Sequence, residues 1–317
     1  MENINLNNKN SVNPFRFNSI NSWLKEKFNE KVLKICVDGG FTCPNRDGKC
    51  GYGGCIFCGE RGSGEHLKTI DIKSQVENYL SSYKIERANK FILYFQNFTN
   101  TYDSIQNLEN KYNSGLISEK IVALAIATRP DCITEDIAKL IKSYQKNYFV
   151  WVELGFQTSN EETGKFINRC YSNSQFENAL KILNQFEIPV VTHIMVGLPN
   201  EDFEDIKNTV NYLNKQKIWG LKIHSTYITK DTVLNNLYRD GLYTPLTLES
   251  YIEQACYILT HINPSVVIHK ISGDASKNLL VAPEWNLHKK PIINGINKYL
   301  RDNNLYQGIY FNFNNNS

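Results

Sequence analysis

The feature that most narrows the fold is a regular exchange of short apolar runs with amphipathic stretches. Apolar or strand-like runs occur at 32–40, 91–96 (FILYFQ), 121–128 (IVALAIAT), 148–155 (YFVWVELG), 189–196 (PVVTHIMV), 220–228 and 266–270. Short continuous apolar runs are the pattern of parallel strands buried on both faces. Between them, helical spacing is predicted over 71–90, 102–112, 134–145, 174–186, 202–215, 246–262 and 289–303. In the first of these, Val76, Tyr79, Leu80 and Tyr83 share a face. Thr134 is placed to cap its helix, with Glu135 and Asp136 favourable in the first turn. Repeated strand–helix units predict an α/β fold built on a parallel sheet. Six central strands and one late strand fall short of the eight of a closed barrel. An open or partial barrel and a doubly wound sheet both fit this periodicity.

Length and charge exclude several classes. The 317 residues suit one α/β barrel as well as two domains. A net charge of +3 and the absence of a basic stripe do not point to nucleic acid or an anionic membrane. No apolar stretch approaches the ~18 residues needed to span a bilayer. Residues 1–13 are Asn-rich and lack the basic-then-apolar layout of a signal peptide. The expected location is cytoplasmic, where thiols stay reduced and clustered cysteines point to metal or chemistry before disulfides.

Five of the eight cysteines fall in one window, CVDGGFTCPNRDGKCGYGGCIFC: Cys36, Cys43, Cys50, Cys55 and Cys58. Cys132, Cys170 and Cys256 are scattered and are expected to behave as small core hydrophobes. The C-x-x-C of Cys55 and Cys58 lets two thiolates meet one metal centre, and the glycines at 48, 51, 53 and 54 let backbone wrap closely around it. A zinc knuckle and an iron–sulfur cluster both fit, with spacing alone favouring zinc.

The strand ends supply the context. In parallel α/β folds ligands sit at the carboxyl ends of the strands. There this chain places the cysteine loop, then the stretch from Gln96 to Thr101, Thr128 and Arg129, Glu153 with Gln157 and Thr158, the turn Gly197–Glu201, and Lys222, His224 and Tyr227. Lys222, His224 and Tyr227 are expected to share one strand face. A cysteine loop on the same rim as a ring of polar groups favours a reactive centre over a structural knuckle.

With this pattern in place, the chain resembles the radical S-adenosylmethionine (SAM) superfamily, and within its elongator-type branch the YhcC family. The resemblance rests on GFTCPNRDG…GGCIFC, YFQNFTNTY, ATRPDC, VELGFQT, HIMVGLPNE, KIHSTYITKDTVL and VVIHKISGD, in that order along residues 15–308. The cysteine spacing departs from the usual C-x3-C-x2-C, since eleven residues separate Cys43 from Cys55. The resemblance implies a partial (β/α)6 TIM-like barrel over 15–240 with a cluster loop at 41–66. A C-terminal α/β extension over 241–308 would pack on the barrel, between flexible ends at 1–14 and 309–317.

It also implies a [4Fe–4S] cluster on Cys43, Cys55 and Cys58, with Cys36 and Cys50 as extra thiols. SAM would bind the cluster and be cleaved reductively to a 5′-deoxyadenosyl radical that abstracts hydrogen from a substrate. The implied SAM contacts are Phe57 near the adenine and Asn97, Thr99 and Asn100 near the methionine amino group. Thr128 and Arg129 would serve the ribose or carboxylate, Glu153 with Gln157 the ribose, and Gly197 would leave room for the adenine. Lys222 and His224 would line the adenine or substrate side, with His269, Lys270 and Asp274 towards substrate, while Trp285 would pack the C-terminal segment. An electron donor is required, and the branch makes RNA one candidate substrate, against the absence of a basic patch. The competing readings are a structural zinc protein and a non-catalytic redox sensor using the same loop.

Overall fold

The computed structural model describes residues 15–62 and 70–312. The expected flexible segment at 1–14, residues 313–317 of the expected flexible tail at 309–317, and the last residues of the cysteine loop (63–66) lie outside these. In chain order the elements are α1 (Ile20–Phe28), β1 (Val32–Val37), α2 (Ile72–Leu80), β2 (Lys90–Phe95), α3 (Ile105–Gly115), β3 (Ile121–Thr128) and α4 (Glu135–Tyr144). Then come β4 (Phe149–Gln157), α5 (Glu161–Phe166), α6 (Asn173–Gln185), β5 (Val190–Val196), α7 (Phe203–Asn214) and β6 (Gly220–Ser225). The chain finishes with β7 (Ile228–Thr229), α8 (Val233–Arg239), α9 (Leu248–His261), β8 (Val267–Lys270), β9 (Leu280–Ala282) and α10 (Lys289–Asp302).

Seven strands form one parallel sheet in the order β1-β2-β3-β4-β5-β6-β8. A doubly wound sheet requires the strand order to reverse at a switch point. Here the order never reverses, so the sheet is of barrel type, left open between β1 and β8. The seam is bridged by α1, which packs against both edge strands. Asn18 O accepts the Ile268 amide at 2.7 Å, and Ile20 and Leu24 enter the inner core.

The apolar runs are continuous because both faces of the sheet are buried. Outward residues such as Leu93, Ile126, Val152 and Ile194 pack under the helices. Inward residues such as Ile92, Ala123, Trp151, Val191 and Val267 fill the barrel. The helices start where expected. Ser104, Thr134, Ser172, Asp202 and Thr247 each accept an amide of the first turn, which satisfies otherwise orphaned donors.

Several boundaries differ from the sequence reading. The stretch 71–90 forms α2 only to Leu80, then a 3-10 turn at Tyr83–Arg87. The break follows Ser82, whose hydroxyl donates to Tyr79 O at 2.7 Å and so competes with the helix ladder. The helix predicted at 102–112 begins at Ile105, because Ser104 caps it. Strand β6 ends at Ser225, and Ile228–Thr229 turn away to pair antiparallel with β9. Tyr227 therefore does not share the face of Lys222 and His224, and its hydroxyl instead donates to Asp274 O at 3.3 Å.

Candidate functional site at the open end of the barrel

The cysteine loop follows β1 and is docked onto the opposite rim of the barrel. The Asn45 amide donates to Asn168 O at 2.5 Å, and the Asn168 amide returns a bond to Gly54 O at 2.7 Å. The Ile56 amide donates to Ile167 O, and Ile56 O accepts the Leu234 amide. Arg46 gathers three successive carbonyls, Cys58 O, Gly59 O and Glu60 O, at 2.5–3.2 Å. The hairpin-like turns need positive φ at Gly53 (76°) and Gly54 (80°), which glycine adopts without steric cost. Phe57 packs beside the apolar cluster of Ile56, Leu198, Ile228 and Leu234.

Cys43, Cys55 and Cys58 are half-buried. Burial, and after it the nearness of Cys58 and Cys43, push the Cys55 thiol up to about 12. The three sulfurs thus converge on one region. Among the described residues no three His, Cys, Asp or Glu groups crowd around a single-ion position. Tetrahedral zinc takes four ligands, thiolates among them. The donor set is all sulfur, which also suits iron–sulfur chemistry.

Cys36 is not part of this group. It sits mid-strand on the inner face of β1, in register with Tyr94, and burial raises its pKa. Cys256 is buried in the core, as expected. Cys132 and Cys170 are not core thiols. Both are half-buried at the edge of the cysteine loop: a Cβ on Gly51 would lie 3.0 Å from Cys170 Sγ, and Cys50 Sγ is 3.7 Å from Asp131 Oδ2, next to Cys132.

The rim residues divide into occupied and unoccupied groups. The Asn100 amide nitrogen is spent on structure, donating to Phe95 O, Asn97 O and Ala127 O and fastening the turn after β2, while its Oδ1 is buried without a partner. Thr128 Oγ1 pairs with Thr101 Oγ1 at 2.6 Å. Arg129 does use its planar fork on a carboxylate, but the carboxylate is Asp131, at 2.7 and 2.9 Å. Burial opposes the Arg129 charge, yet Asp131 outweighs it and raises the guanidinium above its ordinary value. Gln157 has φ +67° at a register shift between β4 and β5, and its Oε1 is 2.6 Å from the Tyr171 hydroxyl. Gly197 has φ +84°, and a Cβ there would meet Leu246 at 2.9 Å, so both backbone and packing demand glycine. By contrast, Asn97 Oδ1, Thr99 Oγ1, Thr226 Oγ1 and His224 Nε2 are buried without a partner. Buried polar atoms are normally satisfied, so this ring offers hydrogen bonds to a bound molecule.

Below the rim lies a charged network that the sequence reading found only in part. Glu153 is fully buried on β4. Its Oε2 accepts from the Tyr94 hydroxyl at 2.7 Å, stands 2.9 Å from His193 Nε2, and is in close contact with Lys222 Nζ. Its Oε1 accepts from Trp151 Nε1 at 3.0 Å. Burial alone would raise the carboxyl pKa, but Lys222 and His193 prevail and hold it well below the ordinary value. Burial pulls the Lys222 ammonium down to about 8 despite Glu153. His193 is drawn down to about 4, first by burial and then by Lys222. Tyr94 and His193 escaped notice because each lies inside an apolar run; the period-2 inner face shared with Ile92 and Val191 was the available signal.

A family model for the radical SAM superfamily matches residues 45–213, more than half of the chain, and one for the radical SAM C-terminal domain matches residues 218–302. The chain belongs to the radical SAM superfamily. The first match includes Cys55 and Cys58 and begins two residues after Cys43. Among similar proteins, YtqA of Bacillus subtilis is 35% identical, the alignment covering 93% of each chain. YhcC of Escherichia coli strain K12 is 31% identical over 88% of this chain and 90% of its own. The chain is thus a radical SAM enzyme of the YhcC type. In fold it is similar to an archaeal Elp3 from Methanocaldococcus infernus, with a TM-score of 0.65 at 20% identity, covering 87% of this chain and 64% of that one. Among the described residues, no helix is long and apolar enough to cross a membrane.

Proposed function

We propose that this radical SAM enzyme carries a [4Fe–4S] cluster on Cys43, Cys55 and Cys58 and binds SAM across the rim beside it. When bound, the cluster would supply the electron that splits SAM into methionine and a 5′-deoxyadenosyl radical able to abstract hydrogen. The observation that carries this reading is the juxtaposition of three half-buried thiols with a ring of unpartnered polar atoms at the same strand ends.

The chain's own residues have distinct tasks in this reading. Arg46 and Asn45 fasten the loop so that the thiols keep their places. Asn97, Thr99, His224 and the Asn100 Oδ1 offer hydrogen bonds to SAM, whereas Thr128 and Arg129 shape the rim through their internal partners. Gly197 lets Leu246 pack against the β5 end, and Phe57 closes the loop against the C-terminal half. Glu153 is a positioning residue, since its oxygens are already engaged by four donors. The rings of Trp23, Phe149, Trp151 and Trp219 form an aromatic floor that keeps water from entering the barrel at the N-terminal end of its strands.

The test is anaerobic reconstitution followed by iron and sulfide analysis and reduction with SAM. Wild type is expected to hold about four irons and sulfides and to release 5′-deoxyadenosine. Cys55→Ala is expected to lose both. Zinc without iron in anaerobically purified protein, or a full cluster in Cys55→Ala, overturns the assignment.

A further inference from the structure

The layer beneath the rim is over-supplied with positive charge. Lys34 and Lys222 flank one ring, with their Nζ atoms 5.1 and 4.7 Å from the Tyr94 centroid. Lys270 lies in register with Lys222 on the neighbouring strand. Lys289, more than half exposed, reaches Asp274 from α10 at the solvent-facing edge of this group. Against these four ammonium groups stand two carboxylates. Glu153 is committed to Lys222. Asp274 is shared between Lys270, at 2.7 Å, and Lys289. Among the described residues, Lys34 forms no ion pair.

The remaining titratable neighbours do not correct the balance. Burial keeps Cys36 and Tyr94 protonated and neutral by raising their pKa values. Burial keeps His193, His224 and His269 neutral by lowering theirs. His269 is only 8% exposed, and both its ring nitrogens lack a partner. Gathering like charges in a low-dielectric interior is costly unless an opposite charge joins them.

We propose that the substrate presents an oxyanion, a carboxylate or a phosphoryl group, to Lys34, Lys222 and Lys270 in the layer below the SAM rim. This rests on the barrel mouth being the reaction site. The lysines supply the charge that the oxyanion answers. Because the layer lies beneath the strand ends where SAM is placed, the seat serves the substrate rather than the carboxylate of SAM. It also fixes the substrate's orientation, since one charged end is held deep while the rest faces the rim.

The test uses the anaerobic, SAM-saturated holoenzyme and two probes, acetate and inorganic phosphate, each titrated against chloride at matched ionic strength. The expected result is a saturable rise in the thermal midpoint of about 5 °C for at least one probe. Acetate alone would identify a carboxylate, phosphate alone a phosphoryl group, and either supports the seat. Lys34→Met is expected to weaken the probe about tenfold, with Lys270→Met as the second variant should the first not fold. No saturable shift, an undiminished shift in both variants, or a shift that SAM abolishes would each overturn the proposal. Failure of the radical reading is seen separately: a protein that binds a probe below the rim yet holds no iron and yields no deoxyadenosine keeps the seat and loses the reaction.

Discussion

At the N-terminal end of the strands, Trp23, Phe149, Trp151, Trp219 and His269 close the barrel with ring centroids 4.8–5.9 Å apart. One inward step further along the same strands, Glu153 follows Trp151 and Lys222 follows Gly220, and the layer becomes ionic. The lower layer is stabilised by buried area and ring geometry. The upper layer is held by charge complementarity, where each partner is expensive to leave alone. Trp151 joins the two, since its indole N–H is spent on Glu153. The difference separates a sealed floor from a layer whose unmet valences are available to a ligand.

Four perturbations would break or sharpen that contrast. The largest effect is expected from Glu153→Ala, which leaves Lys222 buried and unpaired and should cost about 3–5 kcal/mol in urea unfolding. Glu153→Ala with Lys222→Met should recover much of that; if the double variant is no better than the single one, the layer is not governed by charge pairing. Next comes pH. His193 titrates at an ordinary 6.5 when unfolded and near 4 when folded. Between those values the unfolded chain binds a proton the native one refuses, so stability falls as pH drops through that window. The loss should approach about 3 kcal/mol near pH 4. A flat wild-type profile over that window, or one unchanged by His193→Gln, would contradict a neutral His193. Trp151→Phe keeps most of the floor but removes the bond to a charged acceptor. It should cost about 1.5–3 kcal/mol, and a near-zero loss would uncouple the two layers. The smallest effect is expected from Lys34→Met, within about 0.5 kcal/mol of wild type or slightly stabilising. A large destabilisation would mean that Lys34 has a structural counter-charge.

The parallel sheet was legible because buried strands such as FILYFQ and IVALAIAT carry no polar face to confuse them. The family was legible because its strings fall at successive strand ends. What escaped notice has a common cause: side chains whose partners lie far away in sequence. Tyr94, Glu153, His193 and Lys222 come from four strands, so only the closed sheet reveals that they share one carboxylate. Cys132 and Cys170 look isolated along the chain, yet loops after β3 and α5 bring both to the cysteine loop. Arg129 showed the right chemistry for a carboxylate, but a local one, Asp131, two residues away, takes it. Tyr227 cannot share the face of Lys222 and His224, because its odd spacing from them breaks the period of two and β6 ends at Ser225, where the ladder to β5 runs out.

The seam between β1 and β8 has a consequence for the order of assembly. Gln307 ties the two edges together: its main-chain amide donates to Arg16 O, its Oε1 accepts the Asn18 amide, and its Nε2 donates to Asn263 O and Val266 O. A nascent chain therefore completes the cysteine loop early, while the clasp that holds the barrel shut emerges only after the last strand of the sheet. For that interval the aromatic floor has no α1 latch on its β8 side, and a half-made barrel exposes an unpaired strand edge. An early cysteine loop and a late mechanical closure are thus written into the same polypeptide by the position of one glutamine.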